Sequence, residues 1–171
     1  METAELARRI KDAAYLEGDF VLRSGLRSKY YLDKYLFEAQ PEILAELGKR
    51  LAQRAGDADL IAGPELGAVS LAAATAMACG KPFVIVRKGA KDHGTGKLIE
   101  GPCVSGKRVL LVEDIGTTAG AALEAAKALV AAGATITRIV FAVDRLQGAR
   151  ENVTKAGFEF DSLLTKQDMG I

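Results

Sequence analysis

The sequence is poor in groups that cross-link a chain or hold a metal. Its 171 residues include two cysteines, one histidine and no tryptophan. Cys79 and Cys103 stand far apart with no His or Cys at ligand spacing. That excludes a disulfide framework or zinc site and suits reduced thiols in a cytosolic protein. Charge of one sign is also missing: 23 Lys and Arg face 22 Asp and Glu, for a net charge of +1. Nonspecific nucleic-acid binders carry a large basic surplus, so no nucleic-acid partner is expected. The longest apolar run, near LAAATAMAC, is too short and too alanine-rich to cross a bilayer. The N-terminal METAELARRIKDAAYL is charged and reads as an amphipathic helix, not a signal peptide. A cytoplasmic protein without membrane contact is expected. Tandem repeats, the G-x-x-x-x-G-K-S/T loop and the G-x-G-x-x-G turn are absent as well.

What is there is ordinary in bulk: 49% hydrophobic and 26% charged residues, enough for one compact domain with a full core. Residues 1–40 read as an N-terminal appendage. Periodicity predicts a helix over about 3–14, then a hairpin with strands at Phe20–Leu22 and Lys29–Leu32 around a Ser-Gly turn. Tyr30 and Tyr31 alternate faces, so one is expected in the core. Pro41 opens a helix that runs to about Arg54. From 58 to 165 strands and helices alternate. ADLIAG, PFVIVRK, KRVLLVED, TRIVFAVDR and FEFDSLLT read as strands. The Ala-rich helix closed by Gly80, TTAGAALEAAKALVAAGA and 147–157 read as helices. This is the pattern of an α/β core, a parallel sheet covered on both faces. Residues 87–106 form one long irregular, glycine-rich stretch, expected to be a mobile loop.

Ligands of such sheets bind beyond the carboxyl ends of the strands. The four best strands end in GPELG, RKGAK, EDIGTTAG and DR, so the chemically loaded segments fall at one edge. In VLLVEDIGTTAG, Glu113 and Asp114 stand side by side at the end of an apolar strand. A small-residue turn and a helix start follow. Free N–H groups, a positive dipole end and the Thr117 and Thr118 hydroxyls make a phosphate cradle. Acids beside a phosphate cradle suit the vicinal hydroxyls of a ribose 5-phosphate. Taken alone, the segment would equally suit a solvated strand end and a helix cap. Arg87, Lys88 and Lys91, with His93 close behind, put cations on the loop that leaves the neighbouring strand. A solvated loop would look similar, but a flexible cationic loop beside a ribose-phosphate site suits a polyanion that is enclosed and released. Together the two halves suggest 5-phosphoribosyl 1-pyrophosphate, with Mg²⁺ held mainly by substrate oxygens and water and by no dedicated protein ligands.

At this point the sequence resembles a known family. VLLVEDIGTTAG looks like the phosphoribosyl-pyrophosphate motif of the type I phosphoribosyltransferases. RKGAKDHGTGKLIEG resembles the catalytic loop of the orotate phosphoribosyltransferases, LRSGLRSKYYLDK their N-terminal orotate-binding hood, and VDR their late-strand arginine. The segments occur in order over roughly residues 18–150. The resemblance implies a type I phosphoribosyltransferase fold, a central mostly parallel sheet flanked by helices with a small hood. It implies Mg-dependent transfer of the phosphoribosyl group to N1 of orotate. Lys91, His93 and Asp114 would be catalytic. Arg87, Lys88, Lys91 and His93 would bind pyrophosphate; Glu113 and Asp114 the ribose hydroxyls; Ile115, Gly116, Thr117, Thr118, Ala119, Gly120 and Ala121 the rest of the sugar phosphate. Arg23, Tyr31, Leu32, Thr117 and Arg145 would bind orotate, Arg145 through its guanidinium fork. A homodimer is implied, with loop 87–106 completing the neighbour's site.

The family's phosphate loop usually reads T-T-G-G-S/T. Ala119 and Ala121 depart from it, and Ala121 removes a hydroxyl donor worth roughly 1.5–3 kcal/mol toward a charged group. Leu66 stands where some relatives carry a lysine. Asp144 beside Arg145 would also suit a plain strand-end salt bridge. The rival readings are transfer to another base such as a purine, against which the hood and Arg145 argue, and a non-catalytic metabolite sensor, against which the cationic loop argues.

Overall fold

The computed structural model describes residues 1–21, 25, 27–89 and 96–171. The N-terminal helix α1, Thr3–Ala14, buries Leu6, Ala7, Ile10 and Ala14, one stripe at helical spacing. It leads directly into β1, Tyr15–Val21, which pairs antiparallel with β2, Arg27–Leu32. The hairpin is the expected one, but β1 starts five residues earlier, at Tyr15, and carries an irregularity between Glu17 and Phe20. Neither tyrosine is core: Tyr30 is half-buried and Tyr31 is exposed, while Leu32 is the buried end of the strand. A short helix that periodicity did not predict, α2 at Lys34–Glu38, follows. Asp33 caps it, its carboxylate accepting from the Tyr35 N–H at 3.1 Å. Helix α3, Pro41–Ala52, begins at its proline as predicted.

Among the described residues, six strands form the main sheet in the order β5-β4-β3-β6-β7-β8. These are β3 Leu60–Pro64, β4 Phe83–Val86, β5 Ile99–Glu100, β6 Arg108–Gly116, β7 Thr135–Asp144 and β8 Phe160–Thr165. All pairs are parallel except β4 with β5. The stretch expected to be wholly irregular thus contains β5, which fastens its far end to the sheet edge. Helices α4 (Ala68–Cys79), α5 (Gly120–Ala131) and α6 (Ala149–Lys155) are the crossovers.

Side-chain alternation splits the core in two. Leu110 and Val112 of β6 join Val140 and Ala142 of β7 in one cluster, with α1, α3 and α4. Val109 and Leu111 join Ile139 and Phe141 in the other, with α5. Two-sided burial is why these strands read as continuous apolar runs. The order also fixes where a site can form. From β3 the chain crosses to β4 on one side, and from β6 to β7 on the other. The loops leaving β3 and β6 therefore diverge and open a crevice between them.

Helices α3 and α4 cross closely at Gly48, where a Cβ would lie 2.8 Å from the backbone of Ala74. Helix propensity alone favours alanine there by about 0.5–1 kcal/mol. Overpacking against backbone costs about 1–3 kcal/mol, so Gly48→Ala is expected to lower stability by ~1–2 kcal/mol net. Urea unfolding checks this, with a lower midpoint at unchanged slope.

Candidate active site

The acid pair does not end its strand. β6 continues through Gly116, so Glu113 and Asp114 lie within it, only 6% and 3% exposed. Alternation carries Asp114 to the side of Leu110 and Val112, where α2 supplies a counter-ion. The Lys34 ammonium lies 2.6 Å from Asp114 Oδ2. The other carboxylate oxygen accepts from the Ile115 N–H, and Glu113 Oε1 accepts from the Asp114 N–H at 3.1 Å. Burial first, then repulsion from Asp114, holds the Glu113 carboxyl well above the ordinary carboxylate range. A third acid shares the corner. Glu38, one turn after Lys34 on α2, is buried and accepts from the Ser70 hydroxyl at 3.0 Å. Burial and the charge of Asp114 push it up to about 8. For Lys34, burial works against the charged form. The bond to Asp114 and the fields of Asp114 and Glu113 outweigh it, and its pKa stands above the usual lysine value.

Beyond the acids the chain turns through exposed Thr117 and Thr118 into α5. Ala119 caps the helix in the left-handed region, φ +66° and ψ +18°, with its methyl buried. The departure from glycine is therefore real, and about 1–2 kcal/mol of backbone strain stays at this position. The turn is held by the Asn152 amide, which donates to the Thr118 carbonyl at 2.9 Å. The first intrahelical bond runs from the Leu123 N–H to the Ala119 carbonyl. The N–H groups of Gly120, Ala121 and Ala122 precede it and face out of the helix start, as an anion site requires.

Two arginines flank this centre. The Arg145 N–H donates to the Gly116 carbonyl at 2.8 Å, which ties it to the start of the cradle. Its side chain, 7% exposed, donates to the Tyr30 hydroxyl at 3.0 Å and lies 5.0 Å over that ring. Tyr30 in turn stacks on Tyr15. Asp144 makes no strand-end bridge to Arg145; it accepts from the Leu146 N–H at 2.8 Å. On the other side, Glu65 at the end of β3 accepts from the Lys88 N–H at 2.6 Å and faces Arg87 at 4.0 Å. Buried Nε atoms of both Arg87 and Arg145 have no hydrogen-bond partner among the described residues. Unpaired buried guanidinium donors at a crevice are suited to receive an anion.

The structure thus gathers Arg87, Lys88, Glu113, Asp114, Ile115, Gly116, Thr117, Thr118, Ala119, Gly120, Ala121 and Arg145 at the carboxyl edge of the sheet. Leu32 is buried in the core, and Tyr31 sits on the hairpin against Phe20. Arg23, Lys91 and His93 lie outside the described residues. Lys34, Glu38, Glu65, Gly67 and Tyr30 also stand at this centre, with no role assigned to them from the sequence. Tyr30 and Lys34 lie in the segment LRSGLRSKYYLDK and Glu65 and Gly67 in GPELG, while Glu38 carried no signal beyond its spacing of four from Lys34.

A family model, described as a phosphoribosyl transferase domain, matches residues 37–162. The chain is 46% identical over 170 residues to an orotate phosphoribosyltransferase of Natronomonas pharaonis, covering 99% of this chain and 98% of that one. It superposes on an orotate phosphoribosyltransferase of Mycobacterium tuberculosis, crystallised with Fe(III) dicitrate, with a TM-score of 0.89 and 34% identity, covering 99% of both chains. For the same enzyme in complex with 5-phospho-α-D-ribosyl 1-diphosphate the TM-score is 0.84 at 32% identity, again covering 99% of both. Agreement over the whole length, hood included, reaches past the superfamily motif on β6, and the chain belongs to the orotate phosphoribosyltransferase family, with the type I phosphoribosyltransferase fold.

Proposed function

We propose that the acid pair, the cradle and the flanking cations divide between them the work of the family's reaction. That reaction is the pentosyltransfer from 5-phosphoribosyl 1-pyrophosphate to N1 of orotate, giving orotidine 5′-monophosphate and pyrophosphate on the route to UMP. The observation that carries the assignment is on β6. Two buried carboxylates run without a break into a turn whose N–H groups face outward. Glu113 and Asp114 accept from the ribose hydroxyls. Ile115, Gly116 and the cradle from Thr117 to Ala121 receive the 5′-phosphate. Arg145, with its unpaired Nε, takes the anionic edge of orotate together with Thr117, Arg23 and the backbone of Tyr31 and Leu32. Arg87, Lys88, Lys91 and His93 bind pyrophosphate, Lys91 and His93 acting from loop 87–106 in the site of a second subunit of a homodimer.

In the reaction orotate N1 attacks C1 of the ribose as the bond to pyrophosphate breaks. The transition state is loose and oxocarbenium-like, as in other glycosyl transfers. Negative charge grows on the leaving pyrophosphate, so loop cations bind the transition state better than the ground state. Among the described residues no group of three His, Cys, Asp or Glu is placed to hold a metal ion. Glu113 and Asp114 are already engaged by backbone N–H groups and by Lys34, which suits a Mg²⁺ ion that would be carried by substrate oxygens and water. Bound there, magnesium would help neutralise the leaving group. Among the described residues no helix is long and apolar enough to cross a membrane. A cytoplasmic location is our proposal, and it rests on the family's place on the route to UMP.

The direct test is loss of orotate absorbance with 5-phosphoribosyl 1-pyrophosphate and Mg²⁺. Chelator-sensitive loss is expected; consumption of hypoxanthine or adenine, with orotate untouched, would reassign the base. Lys91→Ala is expected to lower kcat by about 10²–10³-fold with the fold intact, and near-normal turnover would remove the loop from the mechanism. The acid corner also makes stability depend on pH. The folded chain keeps protons on Glu113 and Glu38 that the unfolded chain releases near 4.5. Between that pH and about 8 the unfolded state binds fewer protons, so stability falls as pH rises. Glu38→Gln is expected to flatten that fall, as read from thermal midpoints across this range.

A further inference from the structure

Lys34 has no part in the chemistry described so far, yet among the described residues it is the cation closest to the acids. Its helix holds it firmly: Asp33 caps α2, and Phe37 on the same short helix is fully buried. The ammonium meets Asp114 at 2.6 Å, with the Lys34 side chain 30% exposed and that of Asp114 only 4%. Room for the pair is provided by Gly67. A Cβ there would lie 1.8 Å from Asp114 Oδ2 and 2.5 Å from Lys34 Nζ. The backbone of Gly67 is right-handed helical, φ −59° and ψ −46°, a conformation open to any residue. Space for the ion pair, and not backbone freedom, is what requires glycine at the start of α4.

Among the described residues the charged neighbours of this pair are few. Glu113 lies beside Asp114 on β6, Glu38 follows Lys34 on α2, and Asp33 and Tyr35 flank Lys34 in sequence. The buried carboxyls of Asp114, Glu113 and Glu38 thus share a corner with one ammonium at the mouth of the β3–β6 crevice, with Asp33 at its edge. Without the ammonium, Asp114 would face two other acids with no cation at contact, and its orientation would be lost with its partner.

We infer that Lys34 is a positioning residue of the ribose site: across Gly67 it fixes the Asp114 carboxylate in the crevice, and so sets affinity for the phosphoribosyl donor more than the rate of transfer. This rests on the assignment of Glu113 and Asp114 to the ribose hydroxyls. An acid that holds hydroxyls equally in ground and transition states changes KM and leaves kcat alone.

The test is steady-state kinetics of the full-length protein, with 5-phosphoribosyl 1-pyrophosphate varied at saturating orotate and Mg²⁺. Lys34→Met keeps the length of the side chain and removes its charge. It is expected to raise KM for the donor about tenfold with kcat within about threefold, and to leave KM for orotate unchanged. Lys34→Arg restores the charge and is expected to recover most of the loss, which a purely structural role would not produce. Gly67→Ala, which pushes the pair apart, is expected to reproduce the donor effect and carries the test if Lys34→Met folds poorly. An unchanged or lowered donor KM in these variants overturns the inference, as does a fall in kcat alone. Asp114→Asn separates the two levels. If it raises the donor KM while Lys34→Met does not, only the role of Lys34 fails. If it leaves the donor KM unchanged, the ribose assignment itself fails.

Discussion

Two carboxylates taken out of water on adjacent residues of one strand are the constraint around which this molecule is arranged. Removing a charged group from water costs several kcal/mol even after relaxation, and β6 is buried without a break from Val109 to Asp114. The chain meets that cost in three ways. Glu113 keeps its proton well above the usual range. Asp114 spends one oxygen on a backbone N–H and the other on an ammonium. The third acid, Glu38, is held by a serine hydroxyl and also resists ionisation. The corner thus carries far less net charge than its residue types suggest, and the sheet can keep it buried.

That solution couples the N-terminal appendage to the core. Lys34 and Glu38 come from the segment just after the hairpin, and Tyr30 of the same hairpin bonds Arg145 at the end of β7. The acids and the arginine sit on neighbouring strands, with Gly116 opposite Asp144 in register. The hairpin region therefore supports both halves of this centre at once, the acid pair through α2 and the arginine through Tyr30. A change in how β2 seats on the core would be felt by both.

Much of this was legible in the sequence, for identifiable reasons. Two-sided burial writes β3, β6 and β7 as apolar runs, and Gly80 and Pro41 mark helix ends by conformations that other residues adopt poorly. The motif on β6 marked the centre of the site because two acids in an apolar strand are costly without a use. The illegible parts depend on tertiary contact. Helix α2 is five residues long, too short for a periodic stripe. Lys34 and Asp114 are 80 positions apart, joined only by the sheet's topology. Glu38 reads as a surface acid until its burial is known. The extent of β6 was misjudged for a related reason: polarity suggested a strand end, whereas pairing to β7 continues through Gly116.

The cradle shows how such a site tolerates departures from its family pattern. Ala119 adopts a left-handed conformation that glycine would reach without strain. The strain is partly offset locally. The Ala119 methyl is buried in the α5 cluster, worth about 0.8 kcal/mol for one buried carbon. Alanine also lowers the entropy of the unfolded chain relative to glycine by about 0.4–1 kcal/mol. These gains offset only part of the cost, because alanine at a positive φ is a net destabilisation relative to glycine. The conformation of the turn, and with it the outward set of Gly120, Ala121 and Ala122 N–H groups, is kept by the Asn152 and Leu123 bonds that close it on either side. Since the backbone donors survive, the departure at Ala121 comes down to the loss of one side-chain hydroxyl.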